Sequence, residues 1–148
     1  MLAALLLSFG MAIGGIGAHS SVAQEALVPG IIDFGDDRNR GVLTAPASVG
    51  VRENFQVTIN TFGGGCEREG DTSVIMSATG ATLIVYDITA ATRPDVICTA
   101  VVKRLPHIVA LRFEKPGEAL IRVWGRRVGP ETPPLGVPFV LEHRVTIK

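Results

Sequence analysis

Net charge is the first thing this chain lacks. Its 14 Lys and Arg balance 14 Asp and Glu. A general nucleic-acid binder is usually basic, so no nucleic-acid partner is expected. Long segments with apolar residues at a 3.6-residue period are also missing, which argues against a helical protein. No cluster of Asp, His and Cys announces a metal site, and no cofactor motif stands in the chain. No G-x-S-x-G elbow marks an acyl-transfer nucleophile. The histidines number three and the cysteines two, too few for a zinc ligand set at sequence spacing. Disorder is excluded from the other side, because 47% of residues are apolar and 19% charged. A length of 148 residues suits one domain.

Charge is absent altogether from the N-terminus. The run Leu2 to Ala18 is apolar or small throughout. It is shorter than the roughly 20 residues of a membrane span and carries four glycines. Ser21-Val22-Ala23 fits a small-residue cleavage site, so residues 1–23 read as a signal peptide and 24–148 as one exported domain. Ala18-His19-Ser20 is a second cleavage site. No Lys or Arg precedes the apolar run, which departs from the usual signal pattern. The expected location is secreted or periplasmic, with no stable membrane span after cleavage. The alternative is a membrane anchor through an uncleaved N-terminal segment.

Two cysteines in an exported chain read as one disulfide, Cys66–Cys98. Their spacing excludes a CxxC redox pair. The bond would tie a glycine-rich loop to a mid-chain segment.

What is present is strand pattern. Short runs rich in Val, Ile and Thr are punctuated by Gly, Pro and Asp. Leu27 to Phe34 reads as a first strand, placed at an edge because Pro29 has no donor. Val42 to Val51 reads as one strand interrupted at Pro46. Phe55, Val57 and Ile59 alternate with Gln56, Thr58 and Asn60. Thr72 to Thr79 puts Val74, Met76 and Ala78 on one face. Ala81 to Ile88 is apolar on both faces, which predicts a central strand. His107 to Phe113 and Ala119 to Arg127 flank Lys115-Pro116-Gly117-Glu118, a type II turn signature, and read together as a hairpin. The last strand carries Phe139, Leu141, Val145 and Ile147 on one face. Seven to eight such strands predict an all-β fold, a β-sandwich of immunoglobulin-like or fibronectin-like kind. A small barrel is the alternative.

The segments Thr61-Phe62-Gly63-Gly64-Gly65-Cys66, Val85-Tyr86-Asp87, Cys98-Thr99 and His107 to Phe113 with Pro116-Gly117 carry a resemblance. Over about residues 42 to 147 the chain resembles uncharacterised bacterial exported proteins with an immunoglobulin-like β-sandwich domain. The resemblance implies a fold and no activity.

Candidate chemistry is sparse. Asp33-Phe34-Gly35 matches a kinase metal triplet only as a string. Asp33, Asp36 and Asp37 fall short of a calcium loop. Gly63-Gly64-Gly65 lacks the residues of a phosphate loop. His107 and His143 fall on inward positions of strands, with no nucleophile assigned to either. No catalytic and no metal residues are therefore named. One asymmetry remains: residues 25 to 100 hold ten acidic and five basic side chains, while 101 to 127 hold seven basic and two acidic. The hairpin reading places Arg112, Arg122, Trp124 and Arg126 on one outward face. That face predicts an acidic protein or envelope polyanion as partner. The functional expectation is a non-catalytic interaction or structural domain. A small-ligand or protease-inhibitor-like module using the Cys66 loop is the alternative, and a hydrolytic enzyme is a third reading.

Overall fold

The computed structural model describes residues 25–36, 40–90 and 97–148. The expected signal peptide, its cleavage site, and Asp37 of the polar turn lie outside the described residues. Ten strands are described. They are β1 (Ala26–Pro29), β2 (Ile31–Asp33), β3 (Leu43–Thr44), β4 (Ser48–Val49) and β5 (Phe55–Gly63), followed by β6 (Glu67–Ser77), β7 (Gly80–Thr89), β8 (Lys103–Leu111), β9 (Gly117–Arg127) and β10 (Val137–Ile147).

The two-residue alternation of apolar side chains gives each long strand one face to bury. In β5, Phe55, Val57, Ile59 and Thr61 are buried; in β8, Leu105, His107, Val109 and Leu111 are. These rows belong to one layer, in which β5 pairs antiparallel with β3 and β8. The facing rows are Ala81, Leu83, Val85 and Asp87 of β7, and Ala119, Ile121, Val123 and Gly125 of β9. They belong to a second layer, ordered β6–β7–β9–β10–β4. β7 runs parallel to β9, and β10 parallel to β4, while the other pairs of this layer are antiparallel. The fold is an all-β, sandwich-like pair of layers with mixed sheet topology.

The N-terminal chain stitches the layers together. Leu27 to Phe34, read from sequence as one strand, is two. β1 pairs antiparallel with β7, and β2 then pairs with both β9 and β5. Gly30 is the switch point. Its amide donates to Val85 and its carbonyl accepts from Arg126. A Cβ there would stand 2.5 Å from Thr61 Cγ2 and 2.9 Å from Asp87 Oδ2, so only glycine lets the chain cross so close to the core. Residues 42 to 51 are likewise two strands on two layers. β3 pairs with β5, and after Pro46 β4 pairs with β10.

The expected hairpin between residues 107–113 and 119–127 is not formed. β8 pairs with β5 from Phe55↔Leu111 to Gly63↔Lys103, and β9 pairs with β10 from Val137↔Arg127 to Ile147↔Gly117. Both strands carry a full apolar row. A hairpin would set both rows on the same sheet face, whereas crossing between layers packs them against each other. Phe113 fixes the crossing: it is buried, and its ring stacks on Phe55 with centroids 6.0 Å apart. Gly117 takes the left-handed φ of 135° that follows Pro116.

Candidate functional site

Three polar side chains interrupt the apolar rows and meet inside the sandwich. Thr61 of β5, Asp87 of β7 and His107 of β8 are all buried. Asp87 Oδ1 accepts from the Thr61 hydroxyl at 2.8 Å and lies 3.0 Å from His107 Nε2. Thr61 Oγ1 is itself 3.2 Å from that nitrogen. His107 Nδ1 faces Thr72 Oγ1 of β6 at 3.4 Å. Thr61 does not complete a relay with Asp87 and His107. A relay sets the carboxylate and the nucleophile on opposite ring nitrogens. Asp87 and Thr61 both meet Nε2, whereas the hydroxyl at Nδ1 is that of Thr72, half-buried in a polar cleft lined by Gly70, Asp71, Thr72, Pro106 and His107. The arrangement ties β5, β7 and β8 together across the two layers. His107 was anticipated on an inward position. Thr61 and Asp87 were not singled out, although each is the polar member of an otherwise apolar alternating row.

His143 also sits on the inward row of β10, and its Nε2 is buried without a hydrogen-bond partner. Asp33 is buried and ion-paired to Arg127, whose guanidinium lies 3.8 Å from the centroid of the Phe139 ring. A calcium role for Asp33 is displaced by this pairing. Among the described residues no three His, Cys, Asp or Glu side chains converge as a metal set.

Cys66 and Cys98 are bonded, with Cα atoms 5.2 Å apart. The bond holds the β5–β6 turn against the segment leading to β8. Gly65 N donates to Thr99 O beside it at 3.1 Å.

The outer face of the second layer is the remaining candidate. Arg122, Trp124 and Arg126 point outward from β9, while Ile121 and Val123 are buried between them. Arg112 does not join them. It follows the end of β8, in the connection between the layers, and pairs with Glu114 at 2.9 Å. Arg122 pairs with Glu142, its direct cross-strand neighbour, at 2.9 Å. Arg126 donates through Nε to Pro29 O and through a terminal nitrogen to Leu135 O. The face therefore carries guanidinium groups that already have oxygen partners.

Its character is apolar. The register sets Ile84, Trp124 and Val140 side by side across β7, β9 and β10. Tyr86 faces Pro29 and Ile88 faces Leu27 on the same side of the sheet. Trp124 is 43% exposed and Leu27 58%. A cleft of about 270 Å³ opens among Pro29, Ile84, Trp124, Gly125, Arg126 and Pro138. It forms where β1 wedges into the space beyond the β7–β9 pairing. The outward residues of β5 in the other layer read Gln56, Thr58 and Asn60 instead. On the same side of β8, Pro106, Ile108 and Ala110 are exposed.

No family model matches the chain, and no curated protein or solved structure matches it either.

Proposed function

We propose that the protein is an exported, non-catalytic interaction domain on an immunoglobulin-like sandwich, and that its docking surface is the outer face around Trp124. The observation that carries this reading is the outward row Ile84–Trp124–Val140 with the cleft among Pro29, Trp124, Arg126 and Pro138 beside it. A sandwich normally alternates apolar-in and polar-out, and β5 does so. β7 departs from this with Ile84, Tyr86 and Ile88 outward, and Trp124 and Val140 extend its apolar side in one cross-strand row. A contiguous exposed apolar patch marks an interaction site more often than chance exposure does.

Supporting arguments come from elsewhere in the molecule. The Cys66–Cys98 bond suits an oxidising compartment. The buried Thr61–Asp87–His107 cluster links strands of both layers, which supports a structural role for it. Two packed layers with connections crossing between them favour the immunoglobulin-like reading. The parallel β7–β9 pair departs from an all-antiparallel sandwich. An acidic partner draws less support than the sequence suggested, since Arg112, Arg122 and Arg126 already have oxygen partners.

The test is a comparison of baits retrieving proteins from an extracytoplasmic fraction. A partner that is retained by wild-type protein and by Thr58→Ala, and lost with Trp124→Ala, supports the reading. Retention that is indifferent to Trp124 and lost with Thr58→Ala contradicts it.

A further inference from the structure

We infer that the Trp124 face docks a second copy of this chain, the two outer sheet faces packing against each other about a twofold axis. The inference rests on the reading of this face as a docking surface and names its occupant.

The composition of the face favours a like partner. At its centre stands the apolar row Ile84–Trp124–Val140, which needs another apolar surface to leave water. The next row is Thr82–Arg122–Glu142, set by the same register. It therefore presents one positive and one negative group side by side, joined at 2.9 Å. A twofold axis running along the strands between β9 and β10 sets Trp124 of one copy against Val140 of the other, and Arg122 against Glu142. The surface is self-complementary in sign, as an isologous interface must be. An acidic or basic partner would meet one group of each pair with repulsion. The whole chain adds no opposing field, because its 14 positive and 14 negative side chains cancel.

The geometry of the rim agrees. Arg126 is held to the carbonyls of Pro29 and Leu135. Its charge thus lies along the cleft wall with hydrogen bonds already made. Pro29 and Pro138 are exposed on the two strands flanking the cleft. Proline lacks the donor needed for edge pairing, so the strands bordering the cleft offer their faces rather than their edges there. Two twisted sheets pack in this way with their strands inclined by about 30°.

Trp124 is the only tryptophan of the chain, so the unmodified protein reports on its own interface. The experiment is a dilution series of the purified exported protein, with mass from sedimentation and intrinsic fluorescence recorded on the same samples. The inference predicts a dimer mass that halves on dilution. Tryptophan emission should shift to the red over the same concentrations, as the indole becomes exposed to water. Trp124→Ala should weaken association by about 30-fold or more, as truncation of a central aromatic anchor does. Its circular dichroism should be unchanged. Arg122→Glu should also weaken association, and Arg122→Glu with Glu142→Arg should restore it. A monomer at every concentration, with constant red-shifted emission, overturns the inference. So does a dimer whose emission ignores the mass transition, because its interface then lies elsewhere. Monomeric protein that still needs Trp124 to retain a different protein ends the second-copy inference and leaves the docking surface standing.

Discussion

Asp87 is the residue on which the interior chemistry turns. It gives one carboxylate oxygen to both Thr61 and His107. Removing it takes the shared acceptor from both buried groups and leaves them only the longer contacts with each other at 3.2 Å and with Leu105 O and Thr72 Oγ1 at 3.4 Å. A buried polar group left without its partner costs about 1–3 kcal/mol. Asp87→Ala is therefore expected to lower stability by about 3 kcal/mol, and the melting temperature by roughly 10 °C. Thermal unfolding followed by circular dichroism checks this, and a change within a degree or two contradicts it. Thr61→Val should cost less, and its effect should not add to that of Asp87→Ala, since the two side chains share one bond. His143 presents the opposite case. Its Nε2 is buried with no partner, so His143→Leu exchanges an unsatisfied atom for an apolar one. The expected melting temperature is unchanged or higher; a fall of many degrees would show that the imidazole is bonded after all. In the sequence these residues were only partly legible. His107 and His143 could be placed on inward faces by alternation alone. That Thr61 and Asp87 meet His107 depends on which strands lie opposite, and alternation within a strand carries no such information.

Strand existence was more legible than strand pairing. The alternating rows of β5, β7, β9 and β10 stand where the sequence puts them, since a two-residue period is a local property. The partner of each strand is a long-range property. Lys115-Pro116-Gly117-Glu118 reads as a hairpin turn, yet it carries the chain between layers, because burial of Phe113 against Phe55 outweighs local turn geometry. Pro46 reads as an interruption and acts as a change of layer. β6 shows the limit of pattern reading most directly. Val74 and Met76 share a face, as expected, but both remain exposed at the margin of the second layer, where only β7 pairs with β6. At this scale the disulfide makes a clear prediction. Closing a loop with a sequence separation of 32 stabilises by about 3–4 kcal/mol in chain-entropy terms. Cys66→Ala with Cys98→Ala should lower the denaturant midpoint and leave the fold intact, because β9 and β10 lie outside the loop. Loss of the cooperative transition in that variant would mean that the bond holds the layers themselves.

At the scale of the whole molecule the proposed function follows from the outward row through Trp124 and the cleft beside it. Half of this was visible in the sequence. Trp124 could be assigned outward, and the two apolar faces of residues 81 to 88 were plain. Apolar residues on both faces mark a central strand, which β7 is, being paired with β6, β1 and β9. The apolar outer side of β7 remains, and with Trp124 and Val140 it makes the patch. Arginine charge, which the sequence made the leading feature, is instead occupied by Glu114, Glu142 and main-chain oxygens. Such exposed pairs contribute about 0–1 kcal/mol each, so Arg122→Ala should barely alter melting. The central claim is that the Trp124 face is covered when the protein is at work. Oxidative footprinting tests it most directly, comparing the protein in the cells that produce it with the purified protein at high dilution. Met76, exposed on β6 away from that face, serves as the internal standard. The account predicts that Trp124 is oxidised several-fold more slowly in the cells, while Met76 reacts equally in both. Equal oxidation of Trp124 in the two samples would contradict it.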